Sequence, residues 1–352
     1  MPGKRMYSKR VTVRDIANKL GLSHPTVSRA LNDHPRISDE TKKRVREMAR
    51  KMNYRPNIMA RGLCSQRTSL IGLVIRDIRS SFHAEIIAGV QDILDQHGYS
   101  IILCSSSLDT DHERKHLQIV VDKQVEGIIY APVYGDQSNA DLINSFHAEG
   151  IPIVLISFSK LKVKMPCIKV NNNMGGYLAT RHLIDLGHQR ICYVTYSIDE
   201  ALHKEPGLDE NADRFRGYQR AMEEAGLEKY ISLVQENTFG KDRDVALRIK
   251  SHEINPTAAF IFSDEISVGV MKSASAHCIK IPRDLSIVGF DDLSYASMVY
   301  PSLTTIAQPK YEIGVYAAQR IIALIEGKEA LEELVLEPEL VIRHSTAPLK
   351  VR

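Results

Sequence analysis

Tryptophan is absent from this 352-residue chain, aromatic residues make up only 6% of it, and cysteine occurs five times. The cysteines (Cys64, Cys104, Cys167, Cys192, Cys278) are odd in number, scattered and without a CxxC pair. They argue against a disulfide framework and a structural zinc site, and they suit a reducing compartment. No stretch approaches the roughly 18 consecutive apolar residues of a membrane span, so no membrane partner is expected. The N-terminal MPGKRMYSKR has no apolar h-region, so no secretory signal is expected and the chain reads as cytoplasmic. Low-complexity segments and short-period repeats are lacking. The G-x-x-x-x-G-K-[ST], G-x-G-x-x-G and G-x-S-x-G patterns are also missing, so neither an enzyme nor a bound cofactor is expected.

What is present is a soluble globular composition, 43% apolar and 25% charged, too long for one ordinary core. Its net charge of +3 hides an uneven distribution. Residues 1–67 carry 17 Lys and Arg against 5 Asp and Glu, a net of +12, which leaves −9 on residues 68–352. A basic head on an acidic body concentrates counterion-releasing contacts where phosphates would lie. An ordinary solvated basic face would show the same charge, so the argument needs the local pattern as well.

That pattern is a helix-turn-helix. Thr12 with Asp15 has capping-box spacing, although Glu or Gln is usual at the third position, so a helix should begin at Val13. Ile16, Ala17 and Leu20 form its apolar stripe, and Gly21 supplies the turn because it accepts positive φ. Ser23 caps the second helix, Pro25 is tolerated in its first turn, and Val27, Ala30 and Leu31 point inward. His24, Pro25, Ser28 and Arg29 are left on or near the outward face. Ser38 caps a third helix through about Met52, with Val45 and Met48 inward. Pro56 then stops helical structure ahead of a short basic hinge.

TVSRALN, NYRPNIMARGL and the spacing between them resemble the head of the LacI/GalR (lactose/galactose repressor) family. From Ser69 onward, strand-like runs (69–75, 100–106, 127–132, 152–157, 167–172, 190–196, 258–263 and 285–291) mostly alternate with helical stretches. That βαβ rhythm predicts open parallel sheets in two lobes of similar build. ATRHLIDLGHQRICYV, ADRFRGYQRAM, FIFSDEISVGVM, LSIVGFDDLSY and PSLTTIAQP stand in the order of that family's effector domain, which is similar to periplasmic sugar-binding proteins.

The expected fold is therefore a small all-α helix-turn-helix head plus an α/β, periplasmic-binding-protein-like body of two parallel-sheet lobes. The expected domains are a helix-turn-helix domain at 1–56, a hinge helix and linker at 57–68, an effector-binding and dimerisation domain at 69–346, and a tail at 347–352. Within the body, the N-lobe is expected at about 69–167 and 305–333, and the C-lobe at about 168–304 and 334–346. No heptad tail follows the last strand, so tetramers through a C-terminal bundle are not expected.

The resemblance implies a DNA-binding transcription regulator, a repressor, reading a palindromic operator as a homodimer and gated by a small molecule between the lobes. A sugar, sugar acid or related metabolite is the expected effector. His24 and Arg29 are the candidates for base readout, since a guanidinium can bind guanine O6 and N7 together. Pro25 shapes the helix start or meets a thymine methyl. Asn57 and Arg61 would seat the hinge, and Leu63 would wedge into the minor groove. Thr12, Ser23, Thr26, Ser28, Asn32 and Tyr54 complete the expected DNA-binding set.

For the effector, Arg214 occupies the family's R-x-x-G position and Asp291 its ligand-binding Asp. Phe82, Ser157, Phe158, Ser263 and Asp264 complete that set. Ser157 stands where many sugar-binding members have Asp and Ser263 where many have Asn, which argues against an ordinary hexose. Plainer readings exist for each. Arg214 could pair with Asp209, Glu210 or Asp213; Asp291 could be a turn residue, Asp264 a helix cap and Phe82 core packing. His83 reads as a surface residue.

One motif stands apart. His112-Glu113-Arg114-Lys115-His116 spells the HExxH zinc-hydrolase pattern, but no HxxGxxH extension follows, and coincidence is the expected explanation. Two alternatives to a gated regulator thus remain: a small-molecule-binding protein with a vestigial head, and, remotely, a zinc hydrolase through His112 and His116.

Overall fold

The computed structural model describes residues 11–54, 68–133, 139–156, 165–196, 209–235, 241–329 and 333–349. The hinge residues Asn57, Arg61 and Leu63, and Ser157 and Phe158, lie outside them. Two compact units result, Met1–Thr68 and Ser69–Arg352.

In the first unit, local signals set three helices. Helix α1 is Val13–Leu20, α2 is His24–Leu31 and α3 is Asp39–Lys51. The Thr12 hydroxyl accepts from the Asp15 N–H at 3.3 Å while the Asp15 carboxylate accepts from the Thr12 N–H at 2.8 Å. Aspartate thus completes a capping box that usually uses a longer acid. Gly21 takes φ +64° at the turn, and Ser23 and Ser38 cap α2 and α3 through the N–H groups of Thr26 and Thr41. Ile16, Ala17, Val27, Ala30, Val45 and Ala49 form the core. Met48, expected inside, is half-buried against it, and Ala49 takes the buried place one residue on.

The second unit holds two six-stranded sheets. In the N-lobe, β1 (Leu70–Ile75), β2 (Ser100–Ser105), β3 (Gly127–Tyr130), β4 (Ile153–Ile156), β5 (Cys167–Val170) and β11 (Glu333–Leu336) run parallel in the order β11-β5-β4-β3-β1-β2. In the C-lobe, β6 (Ile191–Thr195), β7 (Leu233–Gln235), β8 (Ala258–Ile261), β9 (Ser286–Asp291), β10 (Thr304–Ala307) and β12 (Glu339–Val341) follow the order β12-β10-β9-β8-β6-β7, with β12 alone antiparallel. The described helices are α4 (Ser81–Gln96), α5 (Thr110–Asp122), α6 (Ala140–Ala148), α7 (Asn172–Asp185), α8 (Glu210–Glu224), α9 (Val245–Ser251), α10 (Asp264–Ala276) and α11 (Lys310–Ile325).

The chain changes lobe three times, and each crossing differs from the expected boundary. Strand β5 pairs with β4 and β11, so the first crossing follows Val170 rather than residue 167. Strand β10 pairs with β9, which puts the second after Ala307. The third follows β11, after Leu336. Backbone pairing, which apolar runs do not reveal, decides these limits.

Side-chain alternation along β1 feeds two cores. Ile71, Leu73 and Ile75 pack on one face with α4 and α11, and Val74 packs on the other with α5 and α6. The C-lobe has one continuous core around Tyr193, Tyr218, Phe260 and Phe290. A glycine pair in each lobe brings two helices into backbone contact. A Cβ on Gly89 would lie 2.2 Å from the Tyr311 carbonyl oxygen, and one on Gly314 2.1 Å from that of Ile86. In the C-lobe, Gly176 and Gly217 do the same for α7 and α8, with 2.1 Å and 2.0 Å to the carbonyls of Arg214 and Asn173.

Candidate functional site

In the first unit, the exposed face of α2 carries His24, Pro25 and Arg29, with Thr26 and Ser28 half-buried and Asn32 exposed just past its end. Thr12 and Ser23 spend their hydroxyls on caps. Tyr54 is half-buried against the core.

In the second unit, both sheets have the strand order that reverses beside the first strand of each lobe, and open α/β sheets bind ligands at such a reversal, beyond the strand C-termini. Each lobe places an arginine there. Arg76, directly after β1, donates from Nε to the carbonyl of Pro132 beyond β3 at 2.7 Å, and Nη2 lies 3.2 Å from the Glu210 carboxylate. Arg214, on α8, donates from Nη1 to the carbonyl of Phe262 beyond β8 at 2.6 Å and from Nε to Asn172 Oδ1 at 2.8 Å. Its guanidinium lies 3.6 Å from the Phe290 ring centre and 4.5 Å from that of Phe262. Its Nη2 is 3.6 Å from Asp291 Oδ1. Residues 77 positions apart in sequence thus meet at one point. The glycine of R-x-x-G has a physical meaning here: Gly217 lets α8 approach α7 closely enough for Arg214 to reach Asn172.

The plain pairing for Arg214 does not occur. Asp209 caps α8, accepting from the N–H groups of Asn211 and Ala212; Glu210 pairs with Arg76, and Asp213 with Arg216. Tyr193 and Thr195 both donate to Asn211 Oδ1, at 2.6 and 3.0 Å, and so fix the first turn of α8.

Asp291 sits in a turn whose φ values are +109° at Asp291 and +50° at Asp292. Such backbone is rare for these residues and needs support. Lys310 Nζ supplies it, donating to both carbonyls at 2.6 and 3.0 Å, while Arg343 pairs with Asp292. Gln308 donates to Asp291 Oδ1 at 2.6 Å. Burial pushes the Asp291 carboxyl up to about 6 against the pull of Arg214, Gln308 and Lys310.

Two expectations need correction. Asp264 neither caps α10 nor faces an open site. Ser263 is the cap, and the Asp264 carboxylate is 0% exposed, accepting from Thr305 Oγ1 at 2.6 Å and from the Leu293 N–H at 2.7 Å. It braces the Asp291 turn from below, and burial, followed by the charge of Asp291, pushes it up to about 8. His83 is buried rather than on the surface, because the first turn of α4 packs beside Arg76; burial lowers its imidazole to about 4. In the HExxH run, Glu113 is buried and accepts from the Val133 N–H at 2.7 Å and from Asn139 Nδ2 at 2.8 Å. It holds the loop beyond β3, and no cluster of three or more His, Cys, Asp or Glu able to hold a metal occurs among the described residues. Phe82 is half-buried against the N-lobe core with its ring edge-on to His83, 5.4 Å between centres.

Sequence reading missed Arg76, Glu210, Asn172, Gln308 and Lys310. One signal was available: in IGLVIR, Arg76 is a charge placed directly at the C-terminal end of a fully apolar strand.

Residues 12–57 match the family described as bacterial regulatory proteins, lacI family, and residues 180–346 match the periplasmic binding protein-like domain. The transcriptional regulator DegA of Bacillus subtilis is 35% identical over 342 residues, covering 97% of this chain and 99% of that protein. The chain belongs to the lacI family of bacterial regulatory proteins. This LacI-family member is a DNA-binding transcriptional regulator, as its relatives are. The ribose operon repressor of Haemophilus influenzae is 33% identical over 346 residues, 96% of this chain and 99% of that one. Among solved structures, the lac repressor dimer bound to operator and the anti-inducer ONPF superposes with a TM-score of 0.82 at 23% identity, covering 96% of this chain and all of that one. At that identity the likeness concerns the fold, and it extends over both units of the LacI-family architecture.

Proposed function

We propose that this regulator acts in the cytoplasm as a homodimeric repressor, gated by a small molecule held between the lobes, and that it carries out no catalysis. The observation that carries the gating is the pair of arginines at the two sheet reversals, one per lobe, each fixed by a carbonyl and matched to a carboxylate. Arg214 and Asp291 would grip vicinal hydroxyls or a carboxylate, with Phe290 beneath the guanidinium. The Ser263 hydroxyl is engaged as a helix cap, which keeps a sugar acid or related metabolite ahead of an ordinary hexose. Among relatives, the names include a ribose operon repressor and repressors of the PurR type.

On DNA, α2 would lie in the major groove with Arg29 and His24 reading bases and Pro25 against a thymine methyl. Asn57, Arg61 and Leu63 of the hinge would follow the minor groove. Two heads related by a twofold axis would read a palindrome. No described helix is long and apolar enough to cross a membrane, and the basic head needs access to DNA.

Selection of bound duplexes from a random pool tests the DNA reading. The expected result is an inverted repeat whose affinity falls by about 10³-fold or more between roughly 50 and 200 mM salt. A pool with no repeated element and no salt dependence would favour the vestigial head instead. A thermal-shift panel of sugars, sugar acids, purines and sugar phosphates tests the gate; a stabilisation lost in Asp291→Asn identifies the effector class.

A further inference from the structure

Arg76 and Glu210 belong to different lobes, yet their side chains are 3% and 7% exposed and meet at 3.2 Å. Each is anchored within its own lobe. Arg76 is held by the carbonyl of Pro132, and Glu210 is the first residue of α8, whose first turn is fixed by Asp209, Tyr193 and Thr195. Neither anchor can stretch to follow the other lobe. We propose that the Arg76–Glu210 ion pair is an interlobe latch that holds the two lobes together in their closed arrangement.

Position supports this. Two of the three lobe crossings leave from β5 and β11, at one edge of the N-lobe sheet, whereas Arg76 follows β1, three strands from β5. At about 4.8 Å per strand the pair lies about 14 Å from the hinge edge. A lobe rotation of about 15° on that arm moves the two groups apart by nearly 4 Å, enough to break a direct contact. Lys310 also bridges the lobes, but it lies three residues past the crossing at Ala307 and moves little. The latch is therefore the contact most sensitive to opening among the described interlobe bonds.

Its chemistry makes it a switch. Both charges are removed from water in the closed form and can hydrate in the open form. Removing one charge takes the ion pair from the other in a buried place, which is worse than the intact pair, whereas replacing both with apolar groups of similar volume is close to neutral. Effector binding then acts on a preset equilibrium rather than on a free hinge. This regulatory consequence rests on reading the interlobe space as the effector site; the latch itself does not.

Hydrogen exchange of the full-length protein, without effector or DNA, separates the two. In Glu210→Gln, segments 76–83 and 209–214 should exchange at least about tenfold faster while β3 and β8 keep their protection. The double replacement Arg76→Met with Glu210→Leu should restore slow exchange at both segments. Unchanged exchange in Glu210→Gln would overturn the latch. So would a uniform rise that includes β3 and β8, because the pair would then hold the fold rather than the lobes. Failure of the thermal-shift panel above would leave this result standing, so the two readings fail separately.

Discussion

The head and the body use opposite kinds of information. In the head, three residues before three helices carry the design: Thr12, Ser23 and Ser38 each cap within three residues of themselves, and six small or branched side chains close the core. In the body, the contacts that matter join distant positions: Arg76 to Pro132 and Glu210, Arg214 to Asn172, Phe262 and Asp291, and Asp264 to Leu293 and Thr305. The head is thus written in local spacing and the body in register. Local errors should damage the head alone, and the body should be most sensitive where two backbones touch.

The largest effect is expected from Gly217→Ala. Its methyl would lie 2.0 Å from the carbonyl oxygen of Asn173, a backbone atom that cannot swing aside, so α7 and α8 must separate. Denaturant unfolding should show a body destabilised by at least about 3 kcal/mol. A loss below about 1 kcal/mol would mean the helix contact is slack and the comparison is drawn too sharply.

Ile16→Ala tests the other side. Ile16 is 0% exposed, and its truncation should cost the head about 3 kcal/mol, much of what so small a unit has. Far-UV circular dichroism should resolve an early head transition while the body midpoint stays in place. A shared shift would show that the two units do not unfold independently.

A pH series sharpens the account of the body. Burial raises Asp264 to about 8 and Asp291 to about 6, so the folded state holds protons that the unfolded state has released. Their contribution is present at low pH and lost as pH rises through those values. His83 acts in the opposite sense, because its folded value of about 4 lies below the ordinary 6.5, and stability is lost as pH falls between them. Above about pH 6.5 the histidine is neutral in both states, leaving Asp264 as the main contributor to the slope. Body stability should therefore fall from about pH 6.5 to 8 in thermal melts, and Asp264→Asn, whose amide can still accept from the Leu293 N–H and can donate to the Thr305 hydroxyl oxygen, should flatten that fall. An unchanged slope would remove Asp264 from the account.

The smallest effect belongs to Thr12→Ala. Losing the capping box should cost about 1 kcal/mol, confined to the head, with the body transition unmoved. Glycine at the same position should cost less, since it still suits a cap.

How much was legible follows the same division. The three head helices, their caps and the turn at Gly21 could be read from spacing, because each depends on residues within four positions. The alternation of strands and helices was legible from apolar runs. Strands β7, β10, β11 and β12 were not: β7, β11 and β12 are short and half-exposed, and β10 is four residues of which two are threonine. Arg214 and Asp291 were found through a motif, but their mutual contact and the cradle of Phe290, Asn172 and Lys310 were not. Asp264 was misread because its neighbour Ser263 caps the helix, and only the packed turn at 291–293 reveals what the buried carboxylate holds.

By itself, the sequence determined a capped, basic helix-turn-helix and an α/β body of two lobes, because caps, turns and apolar periodicity act over a few residues and leave their marks in order along the chain. Tertiary structure decided where the chain changes lobe, which acid answers which arginine, and that Arg76 and Glu210 close the space between the lobes. Those outcomes depend on strand order and helix approach, which bring together residues 77 to 134 positions apart, and no local spacing encodes such distances.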